Sequence, residues 1–434
     1  MVNFYKIGNS VASALFEYNT SKIVHINSKK VGFVNRLIQL LIIGYVIGYA
    51  IIYKKGYQKF DVGLSSVTTK VKGVVQTNLS INYPIRVENK TTWGVFNQGP
   101  RTWDSADYVT PAEEYEAVFV MTNMILTPEQ KQGKCPEDYA VREAMCTNDS
   151  DCVARKVPKN GGHGIMTGKC IESDRPHAVS KMCEIETWCP VENNKLPMQG
   201  TNFGKPLSNK TCLFEEAINF TISLKNTVRF PEFGVTVRNI HDDHNDPDYL
   251  KKCRYNHEDQ RLCPIISLKT IFDEISGTAF DDTAIRGGVV GIKITWDCNL
   301  DYDISECLPR YSFFRLDNPQ AKVAPGYNIR IAQYDMTDTR FARRTLIKAY
   351  GIRFVVMVDA KAGKFDIVPL LRNFGAGLGL LGLATVLCDI CILYCLKKKS
   401  YYRSQKYLYA DPEQGEDQPM EEPVANTTYV MFEN

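Results

Sequence analysis

LIQLLIIGYVIGYAIIY (residues 37–53) and FGAGLGLLGLATVLCDICILYCL (residues 374–396) are two long apolar runs in a chain of 434 residues whose mean hydropathy is slightly negative. The first contains one strongly polar residue, Gln39, and the second one ionisable residue, Asp389. About 20 apolar residues at 1.5 Å rise cross a hydrocarbon core of ~30 Å. Each run therefore reads as a membrane span, at 33–53 and 367–396. A buried core helix passes the same length test, and a signal peptide is the other reading of the first run. The first run starts more than thirty residues in and lacks a small-residue cleavage site, which argues for a retained helix.

Charge supplies the orientation. Lys22, Lys29, Lys30 and Arg36 flank the start of the first span, and Lys397, Lys398, Lys399, Arg403 and Lys406 follow the second. Lys54 and Lys55 are a smaller cluster on the far side. The positive-inside rule then places residues 1–32 and 397–434 in the cytosol and 54–366 outside, at the plasma membrane. The net charge of +3 gives no reason to expect a nucleic-acid partner.

Of the 14 cysteines, eleven lie between the spans, from Cys135 to Cys307, and three lie within the second, at Cys388, Cys391 and Cys395. That concentration marks an oxidising compartment. The same loop carries glycosylation sequons at Asn78, Asn89, Asn148, Asn209 and Asn219. Residues 135–189 hold six cysteines with little apolar periodicity, which predicts a small head subdomain whose own core is too thin to stand without disulfides. Zinc is a weaker reading of these cysteines, because no C-x-x-C pair occurs outside the membrane span.

The ectodomain reads as mostly β. VFVMTNMIL (118–126), FTISLKN (220–226), GGVVGIKITWDC (287–298) and YGIRFVVMV (350–358) are rich in β-branched and aromatic residues, with only partial alternation. Gly377-Leu-Gly379-Leu-Leu-Gly382 matches G-x-G-x-x-G but lies inside an apolar run, so it is not a dinucleotide site. Gly375 and Gly379 are a small-xxx-small pair suited to helix packing or bending. Asp389 within a span costs ~3 kcal/mol unless it meets water or a partner. It marks a polar helix contact or an ion pathway, and two spans enclose a pore only in a symmetric oligomer.

Lys70 and Lys72 in SSVTTKVKG (65–73) sit two apart, as do Asn328 and Arg330 in APGYNIRIAQY, with Lys348 following in RRTLIKAYGIRF. On strands, each pair projects from one face. A polyphosphate needs such converging cations and polar donors. A solvated strand face is the plain alternative for each taken alone. HDDHNDPD (241–248) offers His and Asp ligands for a divalent cation, though a solvated acidic loop accounts for it as well.

Taken in order, SSVTTKVKG, the ten-cysteine ectodomain pattern, APGYNIR (324–330), TLIKAYGIRF (345–354), Thr20-Ser21-Lys22 and the Y-x-x-x-K of Tyr402 to Lys406 resemble the ionotropic purinergic receptors. These are trimeric cation channels opened by extracellular ATP, and the resemblance runs from about residue 15 to 406. It implies a homotrimer with a pore-lining second span, no enzymatic activity, no cofactor and no resident metal. It implies ATP as agonist, divalent cations as modulators, sodium, potassium and calcium as permeant ions, and membrane lipids as surroundings. The implied ATP site is Lys70, Lys72, Asn328, Arg330 and Lys348 on the triphosphate, Thr221 on the adenine, and Leu250 and Ile265 flanking base and ribose. The implied pore residues are Arg372, Asn373, Leu378, Gly379 and Asp389. The implied disulfides are Cys135–Cys189, Cys146–Cys170, Cys152–Cys183, Cys253–Cys263 and Cys298–Cys307. Spacing alone cannot choose among so many connectivities.

Three features depart from that pattern. Cys212 is an eleventh ectodomain cysteine. Asn219 forms a sequon that includes Thr221. Arg372 stands where a small or apolar residue is usual. Two rivals come from other classes, a membrane-anchored ectonucleotidase and a two-span adhesion receptor. The first needs an acidic, metal-centred site with Gly-rich phosphate loops, which the ectodomain sequence lacks. The second leaves Lys70, Lys72 and Arg330 unexplained. Residues beyond 406 are acidic and Pro-containing, a composition that predicts disorder.

Overall fold

The computed structural model describes residues 29–87, 90–112, 114–159, 161–174, 181–192, 195–210, 212–240, 248–335, 342–395 and 399–406. The Thr20–Lys22 motif, Asn89, seven of the eight residues of HDDHNDPD, Lys397, Lys398 and the acidic tail lie outside them. Two units emerge, Phe60–Lys364 and the pair Met1–Lys59 with Phe365–Asn434.

The strands of the larger unit, in chain order, are β1 (Gln58–Val62), β2 (Leu64–Lys72), β3 (Val75–Val87), β4 (Lys90–Trp103), β5 (Ala117–Pro136), β6 (Ile165–Glu172), β7 (Lys181–Cys189), β8 (Gly200–Asn202), β9 (Lys205–Pro206), β10 (Thr221–Phe230), β11 (Val235–Arg238), β12 (Ile265–Ser267), β13 (Gly288–Asn299), β14 (Pro309–Arg315), β15 (Asn328–Asp335) and β16 (Arg343–Phe365). They form three sheets. The largest runs β14-β13-β16-β5-β7-β6, with β1 and β15 also on β16. The second runs β11-β10-β12, with β2 on β10. The third is β4-β3-β8-β9.

The 23-residue β16 is the spine: it pairs parallel with β13 and antiparallel with β5 and β15. The weak alternation of 118–126 has a physical cause. From Ala117 to Thr127 every residue of β5 is buried, and a strand covered on both faces reads as a continuous apolar run. β10 alternates cleanly, with Ile222, Leu224, Val228 and Phe230 in the core and Thr221, Ser223 and Lys225 on the other face. A buried polar network ties the second sheet to the first. Trp296 on β13 donates its indole N–H to Asn226 Oδ1 on β10 at 2.7 Å. Asn226 Nδ2 donates to the Ser66 carbonyl at 3.1 Å, and Asn239 Nδ2 donates to the Leu224 carbonyl and to the Tyr311 hydroxyl. With its partners satisfied, such a network fixes one register between sheets.

The head, 135–189, has a small core of its own, built around cysteines of its disulfides. Val141, Ala144, Met166, Met182 and Ile185 pack around Cys146, Cys152 and Cys183. The structure forms five disulfides: Cys135–Cys189, Cys146–Cys170, Cys152–Cys183, Cys253–Cys263 and Cys298–Cys307. These are the pairs the resemblance implied.

In the smaller unit, helix α1 (Lys29–Gly44) continues with π-helical hydrogen bonding through Tyr45–Tyr53. The stretches Val31–Tyr53 and Ile367–Tyr394 are long and apolar enough to cross a membrane, and only 6% and 22% of their apolar windows are buried. A soluble core helix is mostly covered; these are not. Tyr45, Tyr49 and Tyr53 stack on one another at 5.5 Å between centroids.

Candidate functional site

The expected ATP residues fall into two clusters on two sheets. On β2, Lys70 and Lys72 are exposed and Val71 between them is buried, so the pleat aims both ammonium groups outward. In register with β10, Lys72 lies opposite Thr221 and Lys70 opposite Ser223. β12 extends both rows, with Ser267 beside Thr221 and Ile265 beside Ser223. Three strands thus place Lys70, Lys72, Thr221 and Ile265 on adjoining rows. Leu250 lies on helix α3 (Tyr249–Lys252), which follows the four-residue α2 (Ser105–Tyr108), and is exposed. The Cys253–Cys263 disulfide ties the loop after it to the start of β12. The end of β2 is held from below: the Tyr108 ring stacks on Phe220 at 4.6 Å and its hydroxyl donates to the Gly73 carbonyl at 3.0 Å. A side chain at Gly73 would overlap the Phe220 ring. Among the described residues, neither the Lys70 nor the Lys72 side chain makes a hydrogen bond or ion pair.

The second cluster is on β15 and β16. Arg330 lies directly opposite Lys348, and Asn328 opposite Tyr350. Two cations facing each other across strands repel, and a buried carboxylate offsets this. Arg330 Nε donates to both Glu192 oxygens, at 3.0 and 2.8 Å, and Nη2 donates to Oε1. The Glu192 side chain is 6% exposed and that of Arg330 52%. Burial pushes the Glu192 carboxyl up, but the Arg330 hydrogen bonds and the charges of Arg330, Lys348 and His163 outweigh it and leave it below the usual range. Burial, then the Arg330 charge, holds Lys348 below the ordinary lysine value. The Glu192 hydrogen bonds raise Arg330 further.

A family profile described as ATP P2X receptor matches residues 16–409. The chain belongs to the P2X receptor family. It is 46% identical to P2X purinoceptor 4 of Mus musculus over 408 residues, covering 93% of this chain and 96% of the relative. It is 41% identical to P2X purinoceptor 5 of Homo sapiens, covering 91% and 82%. Among solved structures it resembles an invertebrate P2X receptor from the Gulf Coast tick, determined in the presence of ATP and Zn2+. The TM-score is 0.70 and the identity 44%, over 83% of this chain and all of that one. It also resembles the chicken ATP-gated P2X7 receptor channel in the presence of the competitive antagonist TNP-ATP, at TM-score 0.65 and 33% identity, over 83% and 99%.

Along the second span of this P2X chain, α4 (Leu268–Glu274) and α5 (Phe280–Arg286) having come between, helix α6 covers Ile367–Ile390. Arg372, Leu378 and Gly379 are exposed and Asp389 is half-buried. Asn373 donates its amide to the Gly56 carbonyl at 2.6 Å, joining the start of the second span to the residues just after the first. The close helix contact expected at Gly375 and Gly379 falls elsewhere within one chain. Gly377 is buried, and a Cβ there would meet Val46 at 2.7 Å, whereas Gly375 and Gly379 face open space. A valine on the neighbouring helix selects the glycine on its own face. Cys212 is free and 5% exposed, and its Sγ–H donates to the Thr122 carbonyl at 3.1 Å. Burial pushes its thiol up to about 12. Asn148, Asn209 and Asn219 are exposed and Asn78 is half-buried.

Sequence reasoning missed Glu192. A single acidic residue three positions after a cysteine has no periodicity and no motif, and only the tertiary fold brings it under Arg330.

Proposed function

We propose that the chain is the subunit of a non-selective cation channel opened by extracellular ATP, working as a homotrimer in the plasma membrane. P2X receptors are ligand-gated channels and not enzymes. The observation that carries the reading is the division of the phosphate cations into two clusters on different sheets. Two half-sites on separate faces suit a ligand bound between neighbouring subunits, and in a ring each interface then joins one cluster to the other. Lys70 and Lys72 with Thr221, Leu250 and Ile265 form one half, and Asn328, Arg330 and Lys348 the other. Four cations meet a triphosphate of about four negative charges, which gives electrostatic steering and charge-assisted hydrogen bonds. The ATP in the tick structure and the TNP-ATP in the chicken structure support the ligand class.

Arg330 begins the event occupied. The triphosphate has to draw it from Glu192, so occupancy and rearrangement are linked at this residue. The rest of the reading follows the charge pattern and the resemblance: residues 1–32 and 397–434 cytosolic, spans 33–53 and 367–396, and ectodomain 54–366. The ion path runs past Arg372, Asn373, Leu378, Gly379 and Asp389 and carries sodium, potassium and calcium. The glycan acceptors are Asn78, Asn89, Asn148, Asn209 and Asn219. Zn2+ in the tick structure supports modulation by divalent cations. Patch-clamp recording from cells expressing the chain is the test. ATP should evoke an immediate inward cation current with no phosphate release. Phosphate release without current returns the ectonucleotidase.

A further inference from the structure

The Glu192–Arg330 pair has a third member. His163 lies in the head, just before β6, with its ring held in place by Glu137. Nδ1 hydrogen-bonds Glu137 Oε1, the backbone N–H donates to Glu137 Oε2 at 2.8 Å, and the His163 carbonyl accepts from Thr187 Oγ1 at 2.6 Å. The Glu137 side chain is fully buried. Because a carboxylate only accepts, Nδ1 carries the proton that meets Glu137. The other edge of the ring, Nε2, lies 3.9 Å from Glu192 Oε1, the oxygen that Arg330 Nη2 grips.

That geometry gives the two protonation states opposite effects. In neutral His163 the Nε2 lone pair faces a carboxylate. In the imidazolium, Nε2–H faces the same carboxylate as a charge-assisted donor. Glu192 thus has two permanent cations, Arg330 in its grip and Lys348 beyond it, both read as phosphate ligands, and one conditional cation, His163. When Arg330 moves to a triphosphate, Glu192 is left buried, and a buried carboxylate without a counter-ion is strongly disfavoured. Resting on the reading of Arg330 as a phosphate ligand, we propose that His163 is the proton-operated replacement partner of Glu192. Its protonation releases Arg330 to the triphosphate. His163 is a positioning residue, with no contact to ATP required.

The groups facing His163 are Glu137 and Asp138 after β5 and Glu192 after β7, with Arg330 and Lys348 beyond Glu192. The Glu137 hydrogen bond is the largest influence and raises His163 above its ordinary value. Burial opposes it, and the charges of Glu137, Glu192 and Asp138 add to the rise. Removing Arg330 from Glu192 raises it further. ATP binding therefore takes up a proton. Affinity climbs as pH falls through the ATP-bound value and levels off below the ligand-free value, both above about 6.5. One proton per site limits the slope to about tenfold per pH unit.

The test is the ATP concentration–response of the full-length channel from pH 9 to pH 7 in metal-chelated saline. Terminal phosphates titrate near about 6, so ATP itself changes little in this range. Half-activating ATP should fall from pH 9 to pH 7, by no more than about tenfold per pH unit. His163→Gln should hold the pH 9 value throughout, and His163→Arg should hold a value at or below that of pH 7. Glu192→Gln, which keeps His163 but removes its acceptor, should flatten the response too. The proposal is overturned by an unchanged pH shift in His163→Gln, or by His163→Arg behaving like His163→Gln. It is also overturned by a shift that appears only when divalent cations are present, which would make the cluster a metal site. A channel that responds to ATP with no pH shift overturns this inference alone. A chain with no ATP current at any pH overturns the functional reading with it.

Discussion

The two halves of the proposed phosphate site differ in what they hold before ATP arrives. The Lys70–Lys72 rows are exposed, and neither ammonium has a carboxylate partner among the described residues. In the other half Lys348 is half-buried, and the exposed Arg330 is gripped by a carboxylate that water scarcely reaches. An open pair gains a phosphate contact outright. A clamped pair gains one only by giving one up. The first half therefore contributes capture, and the second makes binding conditional on a rearrangement.

Alanine substitution separates the halves most sharply. Lys70→Ala and Arg330→Ala should each raise half-activating ATP well over tenfold, the loss of a charge-assisted contact of ~1.5–3 kcal/mol. They should part company in folding. Lys70→Ala leaves no buried charge unpaired and should reach the surface normally. Arg330→Ala strands Glu192 and should cut surface expression, measured by surface biotinylation, and adding Glu192→Gln should restore it. Normal ATP sensitivity in both single variants would falsify the site.

Loosening the clamp gives a smaller effect of opposite sign. Glu192→Gln keeps the shape and removes the charge, so half-activating ATP at pH 7.4 should fall by about three- to tenfold, the fraction of a charged hydrogen bond no longer traded away. A rise in half-activating ATP means that Glu192 supports the bound state, and the contrast between the halves collapses.

The smallest expected effect is on the open half. Asn219 is exposed two residues before Thr221. If it carries a glycan, Asn219→Gln should lower half-activating ATP by about twofold, since the glycan crowds an outer row without touching the cations. Glycosidase treatment that shifts the band of the unmodified chain but not that of the variant reports occupancy. A marked loss of sensitivity gives the Asn219 side chain a direct role.

Legibility in the sequence follows the same division. The shared face of Lys70 and Lys72 is legible because period two is a local property, while the resemblance is what gives that face a ligand. The spans were legible for a similar reason, since twenty apolar residues carry their meaning without a partner. Arg330 and Asn328 were equally legible, but their electrostatic state was not. Glu192 arrives from a turn after β7, 138 residues away in sequence, and His163 from a loop before β6. Gly377 instead of Gly375 as the packing glycine depends on where Val46 falls on the opposite helix, which no single-helix pattern contains. The β5 strand was read at nine residues and runs to twenty, because its distal half is polar and is held by β7 and a disulfide.

Cys212 bears on how the chain is made. Eleven cysteines between the spans cannot all pair within one chain. During synthesis the odd thiol competes with its ten neighbours for every partner. Once Cys212 is packed against the Thr122 carbonyl, with its thiol pushed up to about 12, roughly one molecule in ten thousand or fewer carries the thiolate at neutral pH, and thiolate is the form that attacks a disulfide. Closure of the core thus acts as a proofreading step for oxidation. A chain that mispairs through Cys212 cannot bury that sulfur, and a chain that buries it leaves the ten others only one another.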